Sequence, residues 1–193
     1  MDRKQLQIYL LLFMTYASLT SLRYSWSYTK TQIHQELQIS LTTLGLVDSL
    51  YVGFYSSGLL LMGNLIHKVT LKSYILMGLT IASLSFMAFP LYYSITSKPS
   101  VLVIAVSMSI NGLFQATGWP GLMGIFGKWF KDQKQGLLVA ILALSGNVGN
   151  IYSSTICNTL QRNGYLWTYN YLAAGLLGLT TAILIFQFME DRE

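Results

Sequence analysis

An all-α polytopic membrane protein with six transmembrane helices is predicted by three features of the sequence: its composition, the lengths of its apolar runs and the placement of its basic residues. Of the 193 residues, 53% are hydrophobic and only 10% charged, and mean hydropathy is +0.49. A soluble domain carries about 25% charged residues. A helix needs about 20 predominantly apolar residues to cross the hydrocarbon of a bilayer. Six stretches reach that length, over 7–31, 43–66, 71–93, 100–126, 135–158 and 166–189. They take up nearly all of the chain, so one domain over 1–193 is expected.

The basic residues set the topology. With the N-terminus on the positive side, that side holds Arg3, Lys4, Lys68, Lys72, Lys128, Lys131, Lys134 and Arg192. The other side holds Lys30, Lys98 and Arg162. Cytoplasmic loops are enriched in Lys and Arg, so both termini are expected on the cytoplasmic or matrix side. The pI near 9.3 therefore reads as topology, and no nucleic-acid partner is expected. Membrane lipids are.

The first run starts at Leu6, lacks a small-residue cleavage site and continues too far for a cleavable signal, so it reads as a helix. It carries Tyr9, Tyr16, Arg23 and Lys30 at seven-residue spacing. Seven residues are nearly two turns, with about 20° of drift, so the four share a face that resembles a cavity wall. Arginine at the centre of such a helix costs about 2.5–3.5 kcal/mol on insertion scales. It is retained where it faces a protein interior or an aqueous cavity and can hold an anion. The alternative is an arginine near the outer end that snorkels to the interface.

The second run holds Asp48 near its outer start, where a carboxylate suits a helix N-terminus. It joins the third through Ile66 to Thr70, and the third joins the fourth through Ser94 to Pro99. Short connections make these neighbours antiparallel. The fourth run carries Gly118, Gly121, Gly124 and Gly127, a small-residue face suited to close helix packing. Pro120 within it removes a hydrogen bond and predicts a kink. Lys131 to Lys134 leads into the fifth run, with Gly146, Gly149, Asn147 and Asn150. The sixth has Gly175 and Gly178. Interhelical hydrogen bonds are the plainest role for Asn111, Gln115, Asn147 and Asn150. Trp26, Trp129 and Trp167 near helix ends suggest an aromatic belt.

Much chemistry is absent. The two histidines, His34 and His67, fall in loops on opposite sides, and Cys157 is the single cysteine. No metal set or internal disulfide assembles from these. Neither GxxxxGK[ST] nor GxGxxG occurs, so no nucleotide cofactor is expected. The chain does not read as an enzyme.

The string Asn111-Gly-Leu-Phe-Gln-Ala-Thr-Gly-Trp-Pro-Gly121, continued by Gly127-Lys-Trp-Phe130, resembles helix 4 and the next loop of the organophosphate:phosphate antiporters of the major facilitator superfamily. The glucose-6-phosphate and glycerol-3-phosphate transporter-like branch is the most similar. Arg23, Leu44-Gly45-Leu-Val-Asp48, Gly136-Leu137 and Val148-Gly149-Asn150 follow the same order, and the resemblance covers essentially the whole chain. It implies half of a twelve-helix fold, in which two arginines, on helices 1 and 7, hold the substrate phosphate. Arg23 takes the first of these positions, and a guanidinium fork suits phosphate oxygens. Tyr16, Lys30, Gln115 and Asn147 complete the expected substrate- or anion-binding set.

The sequence also departs from that family. Tyr24 stands where the family has a basic residue, Ala143-Leu144-Ser145 where it has a histidine, and His67-Lys68 where it has an acidic residue and arginine. The chain ends at Glu190-Asp-Arg-Glu193, after one half. Two functions are therefore expected, in this order: a degenerate half-transporter acting as an accessory, non-transporting subunit of a larger membrane complex, and an active half that pairs with another half to exchange a sugar phosphate for inorganic phosphate. Arg23 would hold a phosphate-bearing ligand or a phospholipid headgroup in either case. A lipid-binding scaffold is a third reading. The resemblance points to the endoplasmic reticulum, and a recruited subunit could equally occupy the mitochondrial inner membrane.

Overall fold

The computed structural model describes residues 2–131 and 134–190. Among them the chain is helical: α1 (Arg3–Leu37), α2 (Leu41–Leu65), α3 (Leu71–Thr96), α4 (Val101–Gln115), α5 (Gly118–Trp129), α6 (Gln135–Arg162) and α7 (Thr168–Phe188). Four starts carry side-chain caps. Asp2 forms a capping box with Gln5 on α1, while Ser40, Thr70 and Ser100 accept backbone N–H groups three residues on. Each satisfies a donor the helix would otherwise leave open.

α2, α3, the α4–α5 run, α6 and α7 are long and apolar enough to cross a membrane. α1 is longer, at 35 residues, but more polar, and falls outside that group. Its polarity faces inward, because Thr15, Ser18, Ser21, Ser25 and Thr29 are all buried. Their hydroxyls are satisfied within the protein. Thr15 and Thr29 donate to carbonyls four residues back, at 2.6 and 2.8 Å. Ser25 Oγ donates to Ser153 Oγ at 3.1 Å, and Ser153 Oγ donates to Ser21 O at 2.8 Å. α1 is thus a central helix, packed on α6 and α7.

The fourth predicted span is two helices. Pro120 does not kink a continuous helix; the break falls at Ala116 and Thr117, and Pro120 is the third residue of α5. In a first turn its missing N–H has no intrahelical partner to lose. The small-residue faces pack as their spacing predicts. A Cβ on Gly121 would lie 2.7 Å from Ile75, and one on Gly124 2.9 Å from Leu71. Gly149 lies against Ala17 and Thr20, and Gly175 and Gly178 against Met87 and Ser83. Gly127 has open space.

The tryptophans do not form a belt. Trp26, Trp129 and Trp167 are all buried, and Trp167 stacks on Phe89 with centroids 5.0 Å apart. Trp129 belongs to one buried apolar cluster and Trp26 and Trp167 to the other. Lys4 Nζ lies 3.1 Å from Glu190 Oε2, so the two ends of the described chain sit together, as an even number of spans requires. Arg192, counted with the basic residues of that side, lies outside the described residues.

Burial is uneven. In the most apolar stretch of α3, 56% of residues are buried, against 22% in both α2 and α6. These two helices are the flanks that the rest of the bundle covers least.

Candidate anion-binding site

Arg23 is exposed, beside the under-covered α2. Its Nε donates to the hydroxyl of Tyr51 at 3.3 Å, and Tyr51 stands near the middle of α2. The side chain therefore does not snorkel to a helix end. The guanidinium lies 5.8 Å from the Tyr51 ring centroid and 5.5 Å from that of Tyr55. Aromatic faces attract a cation at such distances. The ion pairs among the described residues are Lys4–Glu190 and Lys30–Asp48, so no carboxylate neutralises Arg23 there. Nor do its Nη groups meet a protein acceptor among those residues.

Behind Arg23 runs a chain of hydrogen bonds. Tyr51 OH donates to Gln115 Oε1 at 2.9 Å, and Gln115 Nε2 donates to Asn111 Oδ1 at 2.9 Å. Asn111 Nδ2 then donates to the backbone oxygen of Ala82 on α3 at 2.7 Å. Asn111 is 0% exposed, and Tyr51 and Gln115 are 6% exposed. Each group uses its donor toward α3, which leaves the Tyr51 oxygen free to accept from Arg23. A buried network satisfied in this way fixes the geometry at its open end. Gly112 makes it possible, since a Cβ there would lie 2.5 Å from Tyr51 O.

Tyr16 completes the wall, with its ring 5.1 Å from that of Trp119. Tyr16, Arg23, Tyr55, Gln115 and Trp119 line a space of about 40 Å³. That is little more than one water's share of liquid. The site is a shallow cradle on an open face, with one fixed cation and no anion among the described residues.

Three of the five predicted site residues converge: Arg23, Tyr16 and Gln115. Lys30 does not. Its Nζ pairs with Asp48 Oδ2 at 2.7 Å, and Trp26 Nε1 donates to Asp48 Oδ1. Lys30 is thus bound to a carboxylate rather than available to an anion, and Asp48 is a partner rather than a helix-terminus charge. The shared face fails for Tyr9 as well. Tyr9 is buried and donates to Leu138 O at 2.8 Å. A drift of about 20° per heptad turns the ends of a three-heptad row onto different neighbours. Asn147 is exposed on α6, outside the cradle, and makes no hydrogen bond among the described residues. Asn150 accepts from Tyr28 OH at 2.6 Å. Tyr51 and Tyr55 were not predicted. The sequence signal was a pair of tyrosines one turn apart in an otherwise apolar run.

Comparison with known proteins bears on this face. The profile of the Major Facilitator Superfamily matches residues 8–193. The chain is 26% identical over 146 residues to "Putative glycerol-3-phosphate transporter 5" of Arabidopsis thaliana, covering 76% of this chain and 29% of that protein. It is 26% identical over 150 residues to "Glucose-6-phosphate exchanger SLC37A2" of Danio rerio, covering 77% and 29%. To "Sugar phosphate exchanger 3" of Xenopus laevis it is 24% identical over 143 residues, covering 74% and 28%. The chain thus spans less than a third of the length of these relatives.

Proposed function

Because the chain belongs to the Major Facilitator Superfamily, we propose that Arg23 binds the phosphate of a sugar phosphate or of inorganic phosphate, as one half of an exchange pathway that a second six-helix unit completes. The observation that carries this is the cradle itself. A guanidinium near the middle of a membrane-spanning bundle lacks a counter-charge among the described residues and is held by a buried relay. An arginine is kept in such a place where it serves a ligand. Its Nε is occupied by Tyr51, and its Nη groups remain to meet two phosphate oxygens, a geometry guanidinium suits. Space of about 40 Å³ is too small for a sugar phosphate, so the rest of the site comes from the unit facing it. Transporter sites near the midplane between two repeats are built this way. The printed names of the relatives supply the substrate class.

A second reading, an accessory non-transporting subunit, is favoured by two positions. Tyr24 stacks on Tyr28 with centroids 6.4 Å apart. Ser145 Oγ donates to Leu142 O at 2.6 Å. Neither brings charge to the open face, where transport of a phosphate would use it. In that reading the same face meets lipid or unrelated subunits, in the endoplasmic reticulum or the mitochondrial inner membrane.

Counterflow separates the two. The chain is reconstituted in liposomes loaded with inorganic phosphate, and uptake of labelled phosphate and glucose 6-phosphate is followed. Uptake that Arg23→Ala abolishes supports exchange. A folded wild-type chain that shows none, at every protein density, leaves the accessory reading.

A further inference from the structure

The geometry points to a second, separate anion-linked site: a groove along α1 that seats one acyl chain of an anionic phospholipid, with the lipid phosphate at Arg3. The groove begins between the start of α1 and the end of α7, where Arg3, Leu6, Leu10, Met14 and Phe188 enclose about 380 Å³. It continues between α1, α6 and α7, where Met14, Ala17, Val148 and Leu177 line a further space of about 180 Å³. Met14 lines both, so the two spaces adjoin along α1 and together make the track proposed here.

Its length fits one leaflet. From Arg3 to Ala17 the α1 axis rises about 21 Å, at about 1.5 Å per residue. Half of a bilayer with its headgroup region is about 20–22 Å. An acyl chain laid in the track would run from the membrane surface to the midplane. The walls suit it. Leu6, Leu10 and Met14 are all exposed there. Gln7 also lines this end of the groove, with its Nε2 donating to Phe188 O at 3.4 Å.

Charge selects the headgroup. Arg3 stands at the surface end of the track and forms no ion pair among the described residues. The neighbouring charges among the described residues are already engaged. Lys4 pairs with Glu190, and the Asp2 carboxylate accepts the N–H of Gln5 at the helix cap, at 2.7 Å. That leaves one guanidinium beside an apolar slot, a pairing that fits a lipid phosphate above its own chain. A basic side chain at a membrane surface favours anionic lipid. Arg23 faces the open side beside α2, so the two anion positions are distinct.

Native mass spectrometry of the intact chain in mild detergent tests this, with dioleoyl phosphatidylglycerol and dioleoyl phosphatidylcholine as probes. One phosphatidylglycerol is expected to be retained in preference to phosphatidylcholine. Arg3→Gln should lower that preference about fivefold, the worth of one arginine near a charged membrane surface. Lys4→Gln should leave it unchanged. Leu10→Trp, which fills the track, should release lipid of either headgroup. Equal retention of both lipids overturns the proposal, as do equal losses from Arg3→Gln and Lys4→Gln, which mark diffuse surface charge. So does an unaffected Leu10→Trp, which places the lipid elsewhere, or a protein segment found seated in the track.

Discussion

Arg23 is positioned by groups that carry no charge, so its geometry depends on a few hydrogen-bond directions. Tyr51 is the pivotal one, since its hydroxyl accepts from Arg23 Nε and donates to Gln115. Tyr51→Phe keeps the ring beside the guanidinium and removes only that oxygen. Hydrogen bonds to charged groups contribute about 1.5–3 kcal/mol, and Arg23 is exposed, so the lower end applies. Phosphate affinity of the solubilised chain, measured by titration calorimetry, should fall about tenfold, equivalent to about 1.4 kcal/mol. Lys30→Gln is the matched control and should leave phosphate affinity unchanged. An effect of Lys30→Gln equal to that of Tyr51→Phe would return Lys30 to the site. That Arg23, Tyr16 and Gln115 lie together was legible in the sequence because polar groups in apolar runs stand out. Tyr51 was not, because a tyrosine inside a helix reads as core. Lys30 could not be set apart from its heptad row in the sequence because its partner, Asp48, lies on another helix, and a heptad row carries no information about what faces it.

At the scale of the helix, close approach depends on a few glycines and not on others. Gly149 rests on the backbone oxygen of Ala17. Backbone cannot move aside as a side-chain tip can, so Gly149→Ala should destabilise by about 1–3 kcal/mol, the range for overpacking. Gly127 has nothing within reach of a new Cβ. Gly127→Ala should be neutral or stabilising by about 0.5–1 kcal/mol, because glycine costs that much in a helix interior. Thermal unfolding of both variants in one detergent reads the contrast, and equal shifts would show that α1 and α6 do not pack as described. Span positions were legible because about 20 apolar residues leave a plain mark. Ends were less so: α1 reaches Leu37 rather than 31, and α6 Arg162 rather than 158. An apolar run marks the part of a helix that can cross a membrane, not where its hydrogen bonding stops. The break before α5 was invisible because Pro120 is read as a kink at its own position, whereas the helix is interrupted about one turn earlier, at Ala116 and Thr117.

For the whole molecule, the central question is what lies against α2 and α6, the two least covered spans. A helix turns 100° per residue, so adjacent residues of α6 report on different surroundings. Asn147 shares a flank with Asn150, which accepts from Tyr28 on α1. Val148 lines the track between α1, α6 and α7. If the Arg23 face opens on water, Asn147→Cys should react with a membrane-impermeant maleimide, and Val148→Cys should react about tenfold more slowly or not at all. Cys157 is buried, and Cys157→Ser supplies a background without a competing thiol. Two unreactive positions would put acyl chains or another subunit against the Asn147 flank and remove the aqueous route that phosphate exchange needs. Two equally reactive positions would contradict the lipid track and leave the exchange reading standing. The two cysteines therefore distinguish failure of the transport proposal from failure of the lipid proposal, because Val148 lines the track and Asn147 does not.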